Sequence, residues 1–247
     1  MNDTNNSISI NGFQLKYIAL FFMTIDHIGA VLLTPGTAAY AIARAYGRIA
    51  FPIYCFLLVE GFFHTSSHLS YLKRLFLFAL ISELPFDMAL FHLPAVAATK
   101  APLYHQNIFF TLFFGFLAMY LIERFLNSQP LFAAAAAIGA IALGQVCYFD
   151  YGAFGIMVIL LFYAAKRFYP WVPPVFSYLF ALVPLLAAGG WRRFFVLFSV
   201  PLFLLYNKER GNMLPGRRTV PFGKYFFYLY YPLHLLILAF IYWYRAV

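Results

Sequence analysis

Runs of about 20 apolar residues recur from one end of this chain to the other, and few folds can house them. Nine spans are expected, at about 16–34, 41–63, 71–92, 107–125, 131–148, 151–167, 171–188, 192–206 and 225–244. The eighth is short and begins at Arg192 and Arg193, so it is expected to be re-entrant or to merge with its neighbour. Between the fifth and sixth spans the FDYG stretch at 149–152 leaves almost no loop. Only 10% of the 247 residues are charged and 64% are hydrophobic, whereas a soluble domain carries about 25% charged residues. The polar side chains are too few to cover a water-facing surface. The expected fold is all-α: a polytopic membrane helix bundle of about nine transmembrane helices, between eight and ten, in a single domain over residues 1–247.

The charge follows topology. Seventeen Lys and Arg against 8 Asp and Glu leave a formal net charge of +9. In a soluble protein this would suggest nucleic acid; here the bases sit mostly in loops, where orientation and anionic lipid account for them. With nine spans, one side carries Lys16, Lys73, Arg74, Arg124, Lys166, Arg167, Lys208, Arg210, Arg217, Arg218 and Lys224, and the other Arg44, Arg48, Lys100, Arg192, Arg193 and Arg245. That is 11 against 6, which puts the N-terminus in the cytoplasm and the C-terminus outside. The first apolar run is too long for a signal-peptide core and follows fourteen mostly polar residues, so it is expected to stay as the first span. Cys55 and Cys147 lie in apolar spans as small hydrophobes, with no zinc-type spacing. The small-residue segment AAAAAIGAIALG at 133–144 permits close helix packing. No internal repeat is evident, which weighs against many secondary-transporter folds.

Against this apolar background the ionisable residues stand out. LKYIALFFMTIDHIG at 15–29 carries Asp26 and His27 inside a span, and burying such groups in hydrocarbon costs several kcal/mol, so they usually line a functional cavity. Adjacent residues point about 100° apart on a helix, so one of the two is expected to meet another helix while the other faces the cavity. An imidazole suits general-base chemistry at neutral pH; the alternative is a structural histidine bonded to a neighbouring helix. Arg44 and Arg48 are one turn apart, placed either to reach lipid phosphates or to recognise an anion and compensate Asp26. Glu60, twelve residues beyond Arg48, is about 18 Å away along an intact helix. Glu83 and Asp87 flank Pro85 on one face, beside an expected kink, with Arg48, Arg74 and His64 as candidate partners. Asn107 and Thr111 can cap the fourth span or touch substrate. His234 follows Pro232 in the last span and suits a helix–helix hydrogen bond or a ligand contact. The stretch 207–224 holds Lys208, Arg210, Arg217, Arg218 and Lys224 against Glu209, a surface suited to topology signalling or to a phosphorylated cofactor. No Walker loop, GxGxxG, HExxH or GxSxG is present.

Taken in order, LKYIALFFMTIDHIG, GRIAFPIYCFLLVEGFFHT, YLKRLFLFALISELPFDMAL, NIFFTLFFGF and YYPLHLLIL resemble the TraX family over nearly the whole chain. That family is named for a conjugal-transfer protein that acetylates the N-terminus of pilin. More remotely the chain is similar to acyltransferase-3 type transmembrane acyltransferases, which pair a basic residue with a His eleven positions later on the first span, as Lys16 and His27 do here, with Lys where Arg is commoner. They also tend to end with an aromatic-x-x-His pattern, similar to Tyr231 and His234. The resemblance implies an integral protein of the bacterial cytoplasmic membrane that uses acetyl-CoA as acyl donor and no metal. It implies His27, Asp26 and Glu60 as catalytic residues, and a chamber shaped by Arg48, Arg44, Glu83, Asp87, Asn107 and His234. Lys16, Lys208, Arg217, Arg218 and Lys224 would meet the CoA phosphates. The acceptor it leaves open is a pilin-like peptide or a glycan. Two other classes use the same polar inventory: a proton-coupled transporter or flippase, and a non-catalytic assembly factor.

Overall fold

A computed structural model describes residues 9–91, 105–211 and 221–246. Its elements are all helical: α1 (Gly12–Leu32), α2 (Ala38–Gly47), α3 (Ala50–His64), α4 (His68–Leu90), α5 (Ile108–Phe125), α6 (Pro130–Val146), α7 (Gly152–Phe168), α8 (Pro174–Ala187), a 3₁₀ helix (Trp191–Phe198), α9 (Ser199–Leu204) and α10 (Pro221–Ala246). Among the described residues four segments are long and apolar enough to cross a bilayer: Gly12–Leu32, Ala38–His64, Ile108–Phe125 and Tyr225–Arg245. α4 has the length, at 23 residues, but carries Lys73, Arg74, Glu83 and Asp87. Each expected span has a helical counterpart, while full length combined with apolar composition holds at four. The eighth is divided into the 3₁₀ helix and a six-residue α-helix that follows it directly.

Local sequence explains the helices that position the site. Asn11 caps α1 in a capping box with Gln14. Leu15, Ala19, Met23, His27 and Val31 then recur every fourth residue, all buried, and bring an imidazole into line with the core. The outward face, with Phe21 and Ile28, is apolar too, because its solvent is lipid rather than water. Between α2 and α3 the helix breaks at Arg48 and Ile49. Pro52 has no N–H for the Arg48 carbonyl, and Arg48 N and Ile49 N donate instead to Ala45 and Tyr46 three residues back, each at 3.1 Å. At α4 the helix continues through Pro85.

α3 is the hub. Ten of its 15 residues are buried, and it packs against α1, α5, α7 and α9. α10 closes the ring by packing against both α1 and α4. α6 attaches through its small residues Ala133, Ala140 and Gly144, as expected for a stripe that lets backbones approach. α1 and α2 cross so closely that a Cβ on Gly47 would overlap the Asp26 carboxylate. Two short parallel bridges fasten the ends of the bundle. Ile10 pairs with Tyr206 beside the start of α1, and Gln106 pairs with Phe149, pinning the 148–150 turn to the approach of α5.

Candidate active site

The imidazoles of α1 and α10 meet. His27 Nδ1 lies 2.7 Å from His234 Nε2, and His234 Nδ1 lies 2.9 Å from the Tyr230 carbonyl oxygen. A carbonyl only accepts, so His234 Nδ1 carries a hydrogen; with neutral rings, His234 Nε2 then accepts from His27 Nδ1. This leaves Nε2 of His27 as the basic nitrogen. The Thr24 hydroxyl donates to Leu20 O at 2.8 Å, so the Tyr230 phenol donates to Thr24, at 2.9 Å, and clamps α10 to α1 one turn before His27.

Asp26 points the other way, to α2, where Arg44 Nη1 donates to its Oδ2 at 2.5 Å. Oδ1 of Asp26 is buried with no hydrogen-bond partner among the described residues. The 148–151 turn faces this pair. There Tyr148 and Tyr151 take positive φ values of 53° and 64°, a conformation that costs a non-glycine residue of the order of 1–3 kcal/mol and clusters at functional sites. Arg48 Nη1 donates to the Tyr151 phenol oxygen at 3.4 Å, and the Tyr151 ring stacks on Phe51 with centroids 3.8 Å apart. Thr111 donates to the Asp150 carbonyl at 2.5 Å, and His105 Nε2 lies 3.9 Å from Asp150 Oδ1.

These groups form the wall between two cavities. The larger, of about 820 Å³, runs from Asp26, His27, Asp150 and Tyr151 past Met23, Tyr54 and Leu58 to Lys16, Arg74, Lys208 and Arg210. Lys208 and Arg210 are exposed, so this basic end reaches the surface. The smaller, of about 120 Å³, is lined by Asp26, His27, Arg44, Arg48, Phe86, Leu90, Phe91, His105, Asp150 and Tyr151. Asp26, His27, Asp150 and Tyr151 line both. Chain direction puts the two openings in opposite halves of the bundle. The basic mouth sits with the start of α1 and the end of α3; the small cavity sits with the starts of α3 and α5 and the end of α4.

The residues singled out in the sequence separate into groups. Asp26, His27, Arg44 and Arg48 come together at the wall, with His234 behind His27. Glu60 lines the larger cavity in its basic half, about 15 Å along α3 from Ala50, where Lys166 Nζ donates to its Oε1 at 2.5 Å. Glu83 pairs with neither Arg48, Arg74 nor His64; its Oε2 accepts from the backbone N of Asn107, at 3.2 Å, and from the Asn107 side-chain amide. Asn107 is fully buried, caps α5 and also bonds Ala79 O at 2.7 Å. Of the described residues, Asn107, Glu83, Asp87 and His234 line neither cavity. Lys16 and Lys208 stand at the basic mouth; Arg217 and Arg218 lie outside the described residues, as does the Lys224 side chain. Asp150, Tyr151 and His105 are the residues that sequence reasoning missed. The signal was an acid in a very short turn between two apolar spans. No three His, Cys, Asp or Glu side chains among the described residues gather as metal ligands.

Comparison with known proteins adds two findings. A family profile described as TraX protein matches residues 11–242. The chain is 31% identical over 248 aligned positions to a probable fimbrial assembly protein FimC, serogroup H1, of Dichelobacter nodosus, covering 95% of this chain and 97% of that protein. No solved structure matches the chain.

Proposed function

This membrane protein belongs to the TraX family, and from that membership and the geometry of the site we propose that it is a membrane-embedded acyltransferase, moving an acetyl group from acetyl-CoA to an amine or hydroxyl of an acceptor. The observation that carries the reading is the wall shared by two cavities, with His27 in it and a basic mouth on one side only. Lys16, Arg74, Lys208 and Arg210 suit the phosphates of CoA, and Arg217, Arg218 and Lys224 belong to the same basic stretch. The cavity behind them suits the long pantetheine arm, which would bring the thioester to His27. The acceptor would enter through the small cavity. His27 Nε2 takes the acceptor's proton as its nitrogen or oxygen bonds to the thioester carbon. The C–S bond then breaks, and the CoA thiolate leaves and recovers the proton. Arg44 holds Asp26, which fixes the α1–α2 contact beside the base. Glu60, paired with Lys166, belongs in this scheme to the donor mouth.

The excess of bases on the mouth side supports a cytoplasmic mouth and a cytoplasmic-membrane location. The acceptor is a pilin-like peptide or a glycan, and the fimbrial assembly relative favours the peptide. A buried Asp–Arg pair and histidines between two cavities also suit a proton-coupled transporter. One experiment separates the two. Purified protein in nanodiscs is incubated with ¹⁴C-acetyl-CoA and a peptide carrying a pilin N-terminus, or with a membrane glycan extract. Label in the acceptor with stoichiometric release of CoA thiol is the expected result; no label in either acceptor would reject the acyltransferase reading.

A further inference from the structure

We propose that Tyr151 is a catalytic residue of this site, its phenol donating a hydrogen bond to the acyl carbonyl oxygen as that oxygen becomes negative. The inference rests on the acyl-transfer reading above and assigns a role that reading leaves open.

Attack on a thioester moves the carbonyl π pair onto oxygen, and a positioned donor aimed at that oxygen is often the largest single contribution to such a reaction. His27 cannot serve as both donor and base: its Nδ1 hydrogen is committed to His234 and its Nε2 must accept. Arg44 and Arg48 line the small cavity and not the larger one that would carry the thioester, and Arg44 Nη1 is bonded to Asp26. Tyr151 has the required features. It lines both cavities beside His27. Its oxygen accepts from Arg48 Nη1, so its own hydrogen is free for another partner, and no acceptor among the described residues takes it. A phenol is protonated at neutral pH, and a guanidinium bonded to its oxygen makes the hydrogen a stronger donor. The ring is held rigidly. Phe51 stacks on it at an interplanar angle of 9°, and a Cβ on Gly155 would come within 2.9 Å of Tyr151 Cβ and 3.1 Å of Phe51. The left-handed backbone at φ 64° is the strained conformation that turns this ring toward the wall. The charged and titratable groups around the phenol are Arg48, Arg44, Arg193, Asp26, Asp150 and Tyr231.

In the step, the acceptor's nitrogen or oxygen bonds to the carbonyl carbon and its proton passes to His27 Nε2. The carbonyl oxygen becomes an oxyanion and accepts from Tyr151, whose proton stays on the phenol. The carbonyl then re-forms, the C–S bond breaks, and the thiolate takes the proton from His27. Electrons and protons balance with no further reactant.

The test uses the full chain in nanodiscs with ¹⁴C-acetyl-CoA and the acceptor that wild type labels. Tyr151→Phe keeps the ring and its stacking and removes the donor. It should lower kcat by about 10²–10³ and leave KM for acetyl-CoA within about twofold, the pattern of an interaction made in the transition state. A fluorinated tyrosine placed at 151 keeps both the ring and the O–H donor and should restore kcat to near the wild-type value, a rescue that a merely structural ring would not need. Full kcat in the Phe variant, a rise in KM alone, or a fluorinated variant as impaired as the Phe variant overturns the assignment while leaving the acyltransferase reading intact. Absence of transfer by wild type overturns both.

Discussion

At the residue scale, the hydrogen bonds of two histidines decide which nitrogen can act as a base. The Tyr230 carbonyl fixes His234, His234 fixes His27, and Nε2 of His27 is left with a lone pair. His27→Ala should therefore abolish most transfer, by about 10²–10⁴ in kcat for loss of a general base. His234→Ala should lower kcat by less, with KM for acetyl-CoA unchanged, since it removes orientation rather than the base. Equal kcat in wild type and a correctly folded His27→Ala protein would eliminate this order of roles. The neighbouring ion pair answers to stability instead. Arg44 and Asp26 are 20% and 14% exposed, and breaking a buried pair costs up to about 3–5 kcal/mol, because a charge is left unpaired. Arg44→Ala should lower the thermal midpoint in detergent, and adding Asp26→Asn should restore part of the loss. A double variant no more stable than Arg44→Ala would show that the unpaired carboxylate is not what destabilises it.

At the element scale, packing distances between helices decide which glycines matter. Gly47 lies where α2 crosses α1, and a methyl there would overlap the Asp26 carboxylate. Gly139 lies on α6, where a Cβ would meet nothing within 4 Å. Overpacking costs about 1–3 kcal/mol, whereas replacing an open helical glycine by alanine gains about 0.5–1 kcal/mol. Gly47→Ala should thus lower the unfolding midpoint and transfer together, and Gly139→Ala should hold or raise the midpoint at full activity. Scanning fluorimetry on the two proteins checks the pair, and equal midpoints would contradict the close α1–α2 crossing. The break between α2 and α3 belongs to this scale as well. Pro52 and its missing N–H could be read from sequence; that the broken end would deliver Arg48 to Tyr151 could not.

At the scale of the whole molecule, charge and cavity share one axis. The expected nine-span arrangement places 11 of the 17 Lys and Arg on the side of Lys16, Lys208 and Arg210, which line the basic mouth, so the positive-inside tendency predicts that this mouth faces the cytoplasm. Single-cysteine proteins in a Cys55→Ser, Cys147→Ser background check this. Glu209→Cys, beside the mouth, should resist an impermeant thiol reagent applied to intact cells, and Thr34→Cys, between α1 and α2, should react. The reverse pattern would invert the orientation and with it the side from which the donor arrives.

Much of the architecture was legible because it depends on composition and period. Apolar runs separated by short basic turns demand helices in lipid, but both faces of α1 are apolar, so that His27 lies on its buried face was not legible. Buried charge in such runs marked Asp26, His27, Arg44 and Arg48 before any partner was visible. Pairing was not legible, because it joins residues distant in the chain. Glu83 meets Asn107 rather than a cation, Glu60 meets Lys166, and His27 meets His234 across 207 positions. The FDYG turn looked empty of chemistry because a single acid and a tyrosine in a short loop carry no periodic signal. Only the folding of α7 against α3 and α5, with Gln106 holding the turn in place, brings Asp150 and Tyr151 to the wall opposite the imidazole. Local sequence thus determined the helices, through solvation and hydrogen-bonding rules that act over a few residues. The tertiary structure alone decided which side chains face one another across the cavities, because that depends on how distant helices pack.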